Sequence, residues 1–108
     1  MKQLILSIIL LFFVGNAQAQ KPDTKVSLGI KPDYFFSGDG VRVKEPVKDK
    51  TAYKAGIKAG DVITAFDKTI ITGIFQYRDL LNQYKSGDKV KVTIKRNEKL
   101  FSYDIQFE

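Results

Sequence analysis

The side chains able to do chemistry are most informative through the types that are missing. With no His and no Cys among 108 residues, the chain cannot build a Ser-His-Asp or Cys-His nucleophile system, a His- or Cys-ligated zinc site, or a thiol redox centre. What remains is carboxylate chemistry, for which Asp61 and Asp67 are the nearest pair, or a Ser-Lys arrangement. An acid protease needs two Asp within hydrogen-bonding reach, in matching loops. No repeated motif supplies such loops, and a domain this small seldom has the cleft, so the expectation is no catalytic residue, no metal and no cofactor.

The elements available to position a site are short. Composition, 44% hydrophobic and 28% charged, is that of an ordinary globular chain. Its first nineteen residues are set apart: Lys2 gives a positive start, Leu4 to Val14 is an apolar run, and Ala17-Gln18-Ala19 places small residues where signal peptidase reads. A signal peptide over 1–19, cleaved before Gln20, is expected, with one domain over 20–108. The run is too short for a spanning helix of about 20 apolar residues and ends in Gly15-Asn16, and no lipoprotein Cys follows it. The expected location is periplasmic or secreted, without stable membrane insertion of the mature chain. Its mature core of roughly 85 residues must hold by packing and sheet hydrogen bonds, since it has no disulfide.

The net charge is +6, but Lys and Arg are spread along the chain and alternate with apolar residues, which describes a solvated face. No clustered patch for nucleic acid is present, and nucleic acid is not an expected partner.

Along the mature chain, Val26 to Ile30 reads as a strand entering a Gly-containing loop. Ser37-Gly38-Asp39-Gly40 is a turn, and Val41, Val43 and Val47 belong to a strand that ends at Pro46. Thr51 is placed to cap a one-turn helix over 51–55, stopped by Gly56. Lys58-Ala59-Gly60-Asp61 is a tight turn, in which the Asp61 side chain accepts backbone N–H groups, and Val62 to Phe66 is a buried strand. Asp67-Lys68 turns into a short strand, Thr69 to Ile71. From Ile74 to Tyr84 the period lengthens: Ile74, Tyr77, Leu80, Leu81 and Tyr84 recur at helical steps. After Ser86-Gly87-Asp88, residues 89–96 alternate strictly, with Val90, Val92 and Ile94 on one side, and a hairpin over 96–99 leads to a closing strand, 100–107.

The block Ala55-Gly56-Ile57-Lys58-Ala59-Gly60-Asp61-Val62-Ile63, a helix about a dozen residues later, and then Gly87-Asp88 before Val90-Val92-Ile94 and Arg96 resembles a bacterial PDZ domain. Within that family the chain is similar to the permuted domains of periplasmic heat-shock serine proteases and secreted metallo-aminopeptidases, which share Leu28-Gly29-Ile30 followed by Pro32-Asp33-Tyr34. The resemblance implies a mainly β fold with two helices (α+β), a partly open barrel or sandwich of five to six strands. The last strand, 100–107, would stand where the eukaryotic domain has its first.

It also implies a function. Backbone N–H groups of Leu28, Gly29 and Ile30 would converge on a peptide carboxylate, with glycine allowing a close approach. Ile30, Lys31, Pro32, Tyr77 and Leu81 would form the groove to which an extended peptide adds as a strand. Pro32 lacks the N–H a strand edge would offer, so one ladder bond is lost, worth about 0.5 to 1.5 kcal/mol. The implied partners are hydrophobic protein or peptide C-termini, with an envelope protease as a candidate partner, and the implied role is an adaptor and not an enzyme. The alternative is a structural subunit with a degenerate groove.

Overall fold

The computed structural model describes residues 26–108; the expected signal peptide and its cleavage site lie outside them. Among the described residues, six strands and two helices follow in the order β1 (Ile30–Pro32), β2 (Val41–Pro46), α1 (Thr51–Ala55), β3 (Val62–Phe66), β4 (Thr69–Ile70), α2 (Ile74–Leu81), β5 (Lys89–Arg96) and β6 (Lys99–Gln106). The strands form one antiparallel sheet in the order β1-β2-β3-β5-β6, with β4 paired to β3. The sheet does not close, so β1 is left at one edge. This is the mainly β, two-helix architecture expected.

Alternation in β5 explains its place in the middle of the sheet. Val90, Val92 and Ile94 are buried, whereas Lys89, Lys91 and Lys95 are exposed. They meet Leu28, Val43, Ile63, Phe66, Ile71 and Phe107 in a single core. The β5–β6 hairpin turns on Asn97 and Glu98, both at positive φ (54° and 66°), which matches the right-handed twist of the strands it joins.

The turn before β3 is tied more strongly than its sequence announced. Asp61, 1% exposed, accepts the Lys58 N–H at 2.8 Å, as expected of a turn carboxylate. Both its oxygens also receive Arg96, from Nε at 2.8 Å and a terminal nitrogen at 2.7 Å, and that nitrogen reaches the Gly56 carbonyl and the Tyr103 hydroxyl at 3.1 Å. One guanidinium thus joins the end of α1, the start of β3, the end of β5 and the middle of β6.

Three local expectations need correction. Residues 26–29 are not a strand, because their polar groups bond the Ser27 hydroxyl, Val47 just past β2, and Ala52 of α1 and not a neighbouring ladder; β1 begins at Ile30. Thr51 is the first helical residue and not the cap, a position taken by Lys50 without a side-chain bond; Gly56, at φ 107°, does end the helix. The second helix stops at Leu81, after which Gln83 and Tyr84 donate to Leu80 and Leu81 over three residues. The Tyr84 ring is drawn onto Phe66 and Phe107, with centroids at 5.9 and 5.2 Å.

Candidate functional site

The loop 28–30 is held from behind. The Leu28 side chain is fully buried, its carbonyl accepts the Ala52 N–H at 2.9 Å, and the Gly29 carbonyl accepts Val47 N–H at 2.8 Å. Gly29 has φ +78°, a region that disfavours side chains, and a Cβ there would lie 2.4 Å from Lys50 Cβ. Glycine is therefore required by the packing of the loop on α1, whatever approaches from outside. The Gly29 N–H is bonded to Ser27 Oγ at 2.9 Å.

Along β1 the direction of each peptide group follows from alternation. The Gly29 carbonyl and the Asp33 N–H both bond on the β2 side, through Val47, the residue after that strand, and Arg42 within it. Lys31, paired with Glu45, must face β2 as well, which leaves Ile30 and Pro32 facing the open edge. The ladder skips Lys44, but the bulge is on β2, so alternation along β1 is unbroken. The edge therefore offers the Ile30 N–H and the carbonyls of Ile30 and Pro32, and Pro32 itself has no N–H to give. The Ile30 side chain is half-buried against the core, while the Lys31 ammonium lies 3.3 Å from Glu45 on the surface.

The helix that faces this edge is positioned by its first turn and by aromatic packing. Gly73 precedes α2 without a side-chain cap, and Gln76 reaches back to accept the Thr72 N–H at 2.6 Å, satisfying a donor at the helix start. Tyr77, assigned to the groove from its spacing, is 4% exposed and sits edge-on to Phe66 at 6.0 Å. Burial pushes its phenol well above the usual value, with Tyr34 adding to the effect. Tyr77 thus belongs to the core beneath the helix. Leu81 is half-buried against the same core as Ile30.

The direct bridge from α2 to the chain leaving β1 is made by Arg78 and by Tyr34, which the sequence marked only as part of the Pro-Asp-Tyr motif and not as a site residue. Arg78 donates to the Tyr34 hydroxyl at 3.0 Å, and its guanidinium carbon lies 5.7 Å from the centre of that ring. Ser27 and Lys50 were missed as well. Ser27 was legible in principle, being a hydroxyl two residues before a loop N–H; the others are distant in sequence and meet only through the fold.

Hollows flank both ends of this edge. One of about 420 Å3 is lined by Ser27, Gly29, Ile30, Lys50 and Glu108 among others, and one of about 300 Å3 by Tyr34, Phe36, Gly73, Ile74 and Phe75 among others. Beside the first, Lys54 holds the Glu108 carboxylate at 2.9 Å and lowers its pKa. A wider hollow of about 530 Å3 over β5 and β6 shares no lining residue with either. Asp61 and Asp67 do not make a catalytic pair: Asp61 is engaged by Arg96, and Asp67 by the Lys91 N–H and the Tyr84 hydroxyl. Among the described residues no group of three or more His, Cys, Asp or Glu is placed to hold a metal, and no helix is long and apolar enough to cross a membrane.

A sheet with one strand edge open beside a helix, headed by a glycine-bent loop, defines the class of domain that receives a peptide as an added strand. The chain belongs to the PDZ domain family, whose model matches residues 20–107. It is 33% identical over 70 residues to the serine protease Do-like HtrA of Lactobacillus helveticus, an alignment covering 65% of this chain and 17% of that protein. Among solved structures it is similar to an aminopeptidase N family protein from Idiomarina loihiensis, with TM-score 0.70 and 29% identity over 82% of this chain and 14% of the other. It shares its fold with the HtrA3 PDZ domain, solved with a phage-derived ligand, at TM-score 0.66 and 14% identity over 78% and 86% of the two chains. The chain spans less than a fifth of the protease and the aminopeptidase. Both kinds of relative expected from the residues of the loop are thus found.

Proposed function

We propose that this domain is an exported peptide-binding module that captures hydrophobic C-termini, or extended apolar segments, by strand addition to β1. The observation that carries the reading is the open edge of β1, continuous with the glycine-bent 28–30 loop and flanked by α2. A peptide lying antiparallel to β1 gives its carboxylate to the loop N–H groups, its backbone to Ile30 and Pro32, and its last side chain to the space between Ile30 and Leu81. The peptide ligand of the HtrA3 domain supports this use of the fold. Ser27 Oγ holds one loop donor in the free state and must yield it to the ligand.

The role is that of an adaptor or substrate-recognition subunit in the periplasm or outside the cell, with an envelope protease as its candidate partner and nucleic acid excluded from the ligands. The HtrA relative and the signal-like residues 1–19 support that setting. A second reading, a docked structural subunit, is favoured by Pro32, which weakens the edge.

Titration calorimetry with a short peptide ending in an apolar residue, chosen from a screen, separates the two. The free-ended peptide should bind, and its amidated form should bind at least tenfold more weakly, since charge-assisted bonds are worth about 1.5 to 3 kcal/mol. Equal binding of the two forms rejects carboxylate capture and leaves the structural subunit.

A further inference from the structure

The sheet has a second open edge, built differently from the first. β1 is three residues long and carries Pro32, whereas β6 runs for eight residues without a proline. It keeps one register with β5 throughout, from Lys99 opposite Arg96 to Gln106 opposite Lys89. Phe107, just past β6, turns both backbone groups toward the chain entering β5: its N–H donates to Asp88 at 2.9 Å and its carbonyl accepts Gly87 at 2.8 Å. Alternation then points the peptide groups of Phe101, Tyr103 and Ile105 at β5, and those of Leu100, Ser102, Asp104 and Gln106 outward. Lys91 agrees, since both its backbone groups bond Asp67 on the β3 side and it stands opposite Asp104. Among the described residues no backbone group bonds these four outward peptide groups. Leu100 on this edge is 65% exposed and Phe101 38%. A long edge with neither bulge nor proline is a template for a further strand.

We infer that β6 is a self-association edge, at which two copies of this chain join antiparallel about a two-fold axis at Tyr103. Outward groups must face outward groups, so the two β6 strands can slide past each other only in steps of two residues. With the axis at Tyr103 all four outward residues are paired: Leu100 opposes Gln106 of the second copy, and Ser102 opposes its Asp104, so that each hydroxyl donates to a carboxylate. On the core side Phe101 meets Ile105 and the two Tyr103 rings lie side by side. Charge and overlap reject the neighbouring registers. An axis at Asp104 sets carboxylate against carboxylate, and one at Phe101 sets Glu98 against Asp104. An axis at Ser102 puts Leu100 against Asp104 and leaves Gln106 facing the 97–98 turn. Each Asp104 keeps the Lys91 ammonium of its own copy at 3.2 Å on the outer face, so no carboxylate is left without a cation. The joined sheet runs from one β1 to the other and leaves both β1 edges free at its ends, so the pairing does not depend on what β1 receives.

The test is sedimentation equilibrium of the purified protein from about 10 μM to about 1 mM, where the mass should rise from that of one copy toward that of two. Ser102→Pro removes an outward N–H that bonds nothing within the domain, and this variant should stay at the mass of one copy at every concentration. Two substitutions at the same exposed position test the register. Ser102→Asp, placed against Asp104 of the second copy, should weaken association about fivefold at about 20 mM salt, and Ser102→Lys should tighten it about fivefold, both changes shrinking at about 0.5 M salt. Circular dichroism confirms that each variant is folded, and the Asp and Lys variants decide the question if the proline variant is not. A parent protein that keeps the mass of one copy at about 1 mM overturns the proposal, as does a folded Ser102→Pro variant that associates like the parent. Equal effects of Asp and Lys reject the pairing of Ser102 with Asp104 on which it rests.

Discussion

Single residues decide how much of the strand edge a ligand can use. Pro32 is tolerated in β1 because its missing N–H falls on the outer edge, where no partner strand in this domain needs it. The same placement removes a donor from any added strand. Pro32→Val should restore it without new polarity and tighten apolar, free-ended peptides by about 1 kcal/mol, or about fivefold, in calorimetric titration. An unchanged or weaker affinity means that ligands do not lie along β1. Gly29 looks like the sharper probe, since a bulky residue there would block the loop, but its φ of +78° and the 2.4 Å approach to Lys50 Cβ mean that Gly29→Val displaces α1 as well. Loss of binding in that variant would report the fold as much as the site.

Between elements, the fold rests on one charged knot where a sequence reading sees only turn glycines and an aspartate. Asp61 is buried and receives three hydrogen bonds, two of them from Arg96, so the pair is paid for by geometry that satisfies every donor it uses. Asp61→Asn removes the charge and leaves a guanidinium, itself partly buried, facing an amide. Urea unfolding should show a loss of about 3 kcal/mol, and Arg96→Lys a smaller loss, since an ammonium cannot reach Asp61, Gly56 and Tyr103 together. Losses under about 0.5 kcal/mol for both would make the knot incidental. The strands were legible because period-two alternation in residues 89–96 and the turn glycines are local signals. What was not legible is the rotation of α2: Ile74, Tyr77, Leu80 and Leu81 mark its apolar stripe, but which edge of the stripe turns to β1 is set by Phe66, which takes Tyr77 into the core and leaves Arg78 to meet Tyr34. The contents of the groove depend on contacts more than forty residues apart in the chain, whereas its existence follows from nearby motifs.

For the molecule as a whole, the groove persists only while α2 stays on the sheet, and aromatic rings hold it there. Tyr77 packs on Phe66, and Tyr84, just past the helix, packs on Phe66 and on Phe107 beyond the last strand. Both phenols are raised above the ordinary 10.0, Tyr77 by burial and then Tyr34, Tyr84 by burial and then the Asp67 carboxylate. A phenol whose folded pKa exceeds its unfolded one contributes stability that is fully present below the unfolded value. That stability is lost as pH climbs past it, because the unfolded chain releases its proton first. The melting temperature should therefore hold through neutral pH and fall steeply above about pH 10, with loss of the helix and of peptide binding together. Tyr77→Phe keeps the ring on Phe66 and removes the titrating group; at pH 7 it should melt within a few degrees of the parent, and above pH 10 its decline should be shallower. Thermal melts by circular dichroism from pH 7 to 11 read the difference, and parallel declines for the two proteins would mean that ionisation of Tyr77 is not what releases α2.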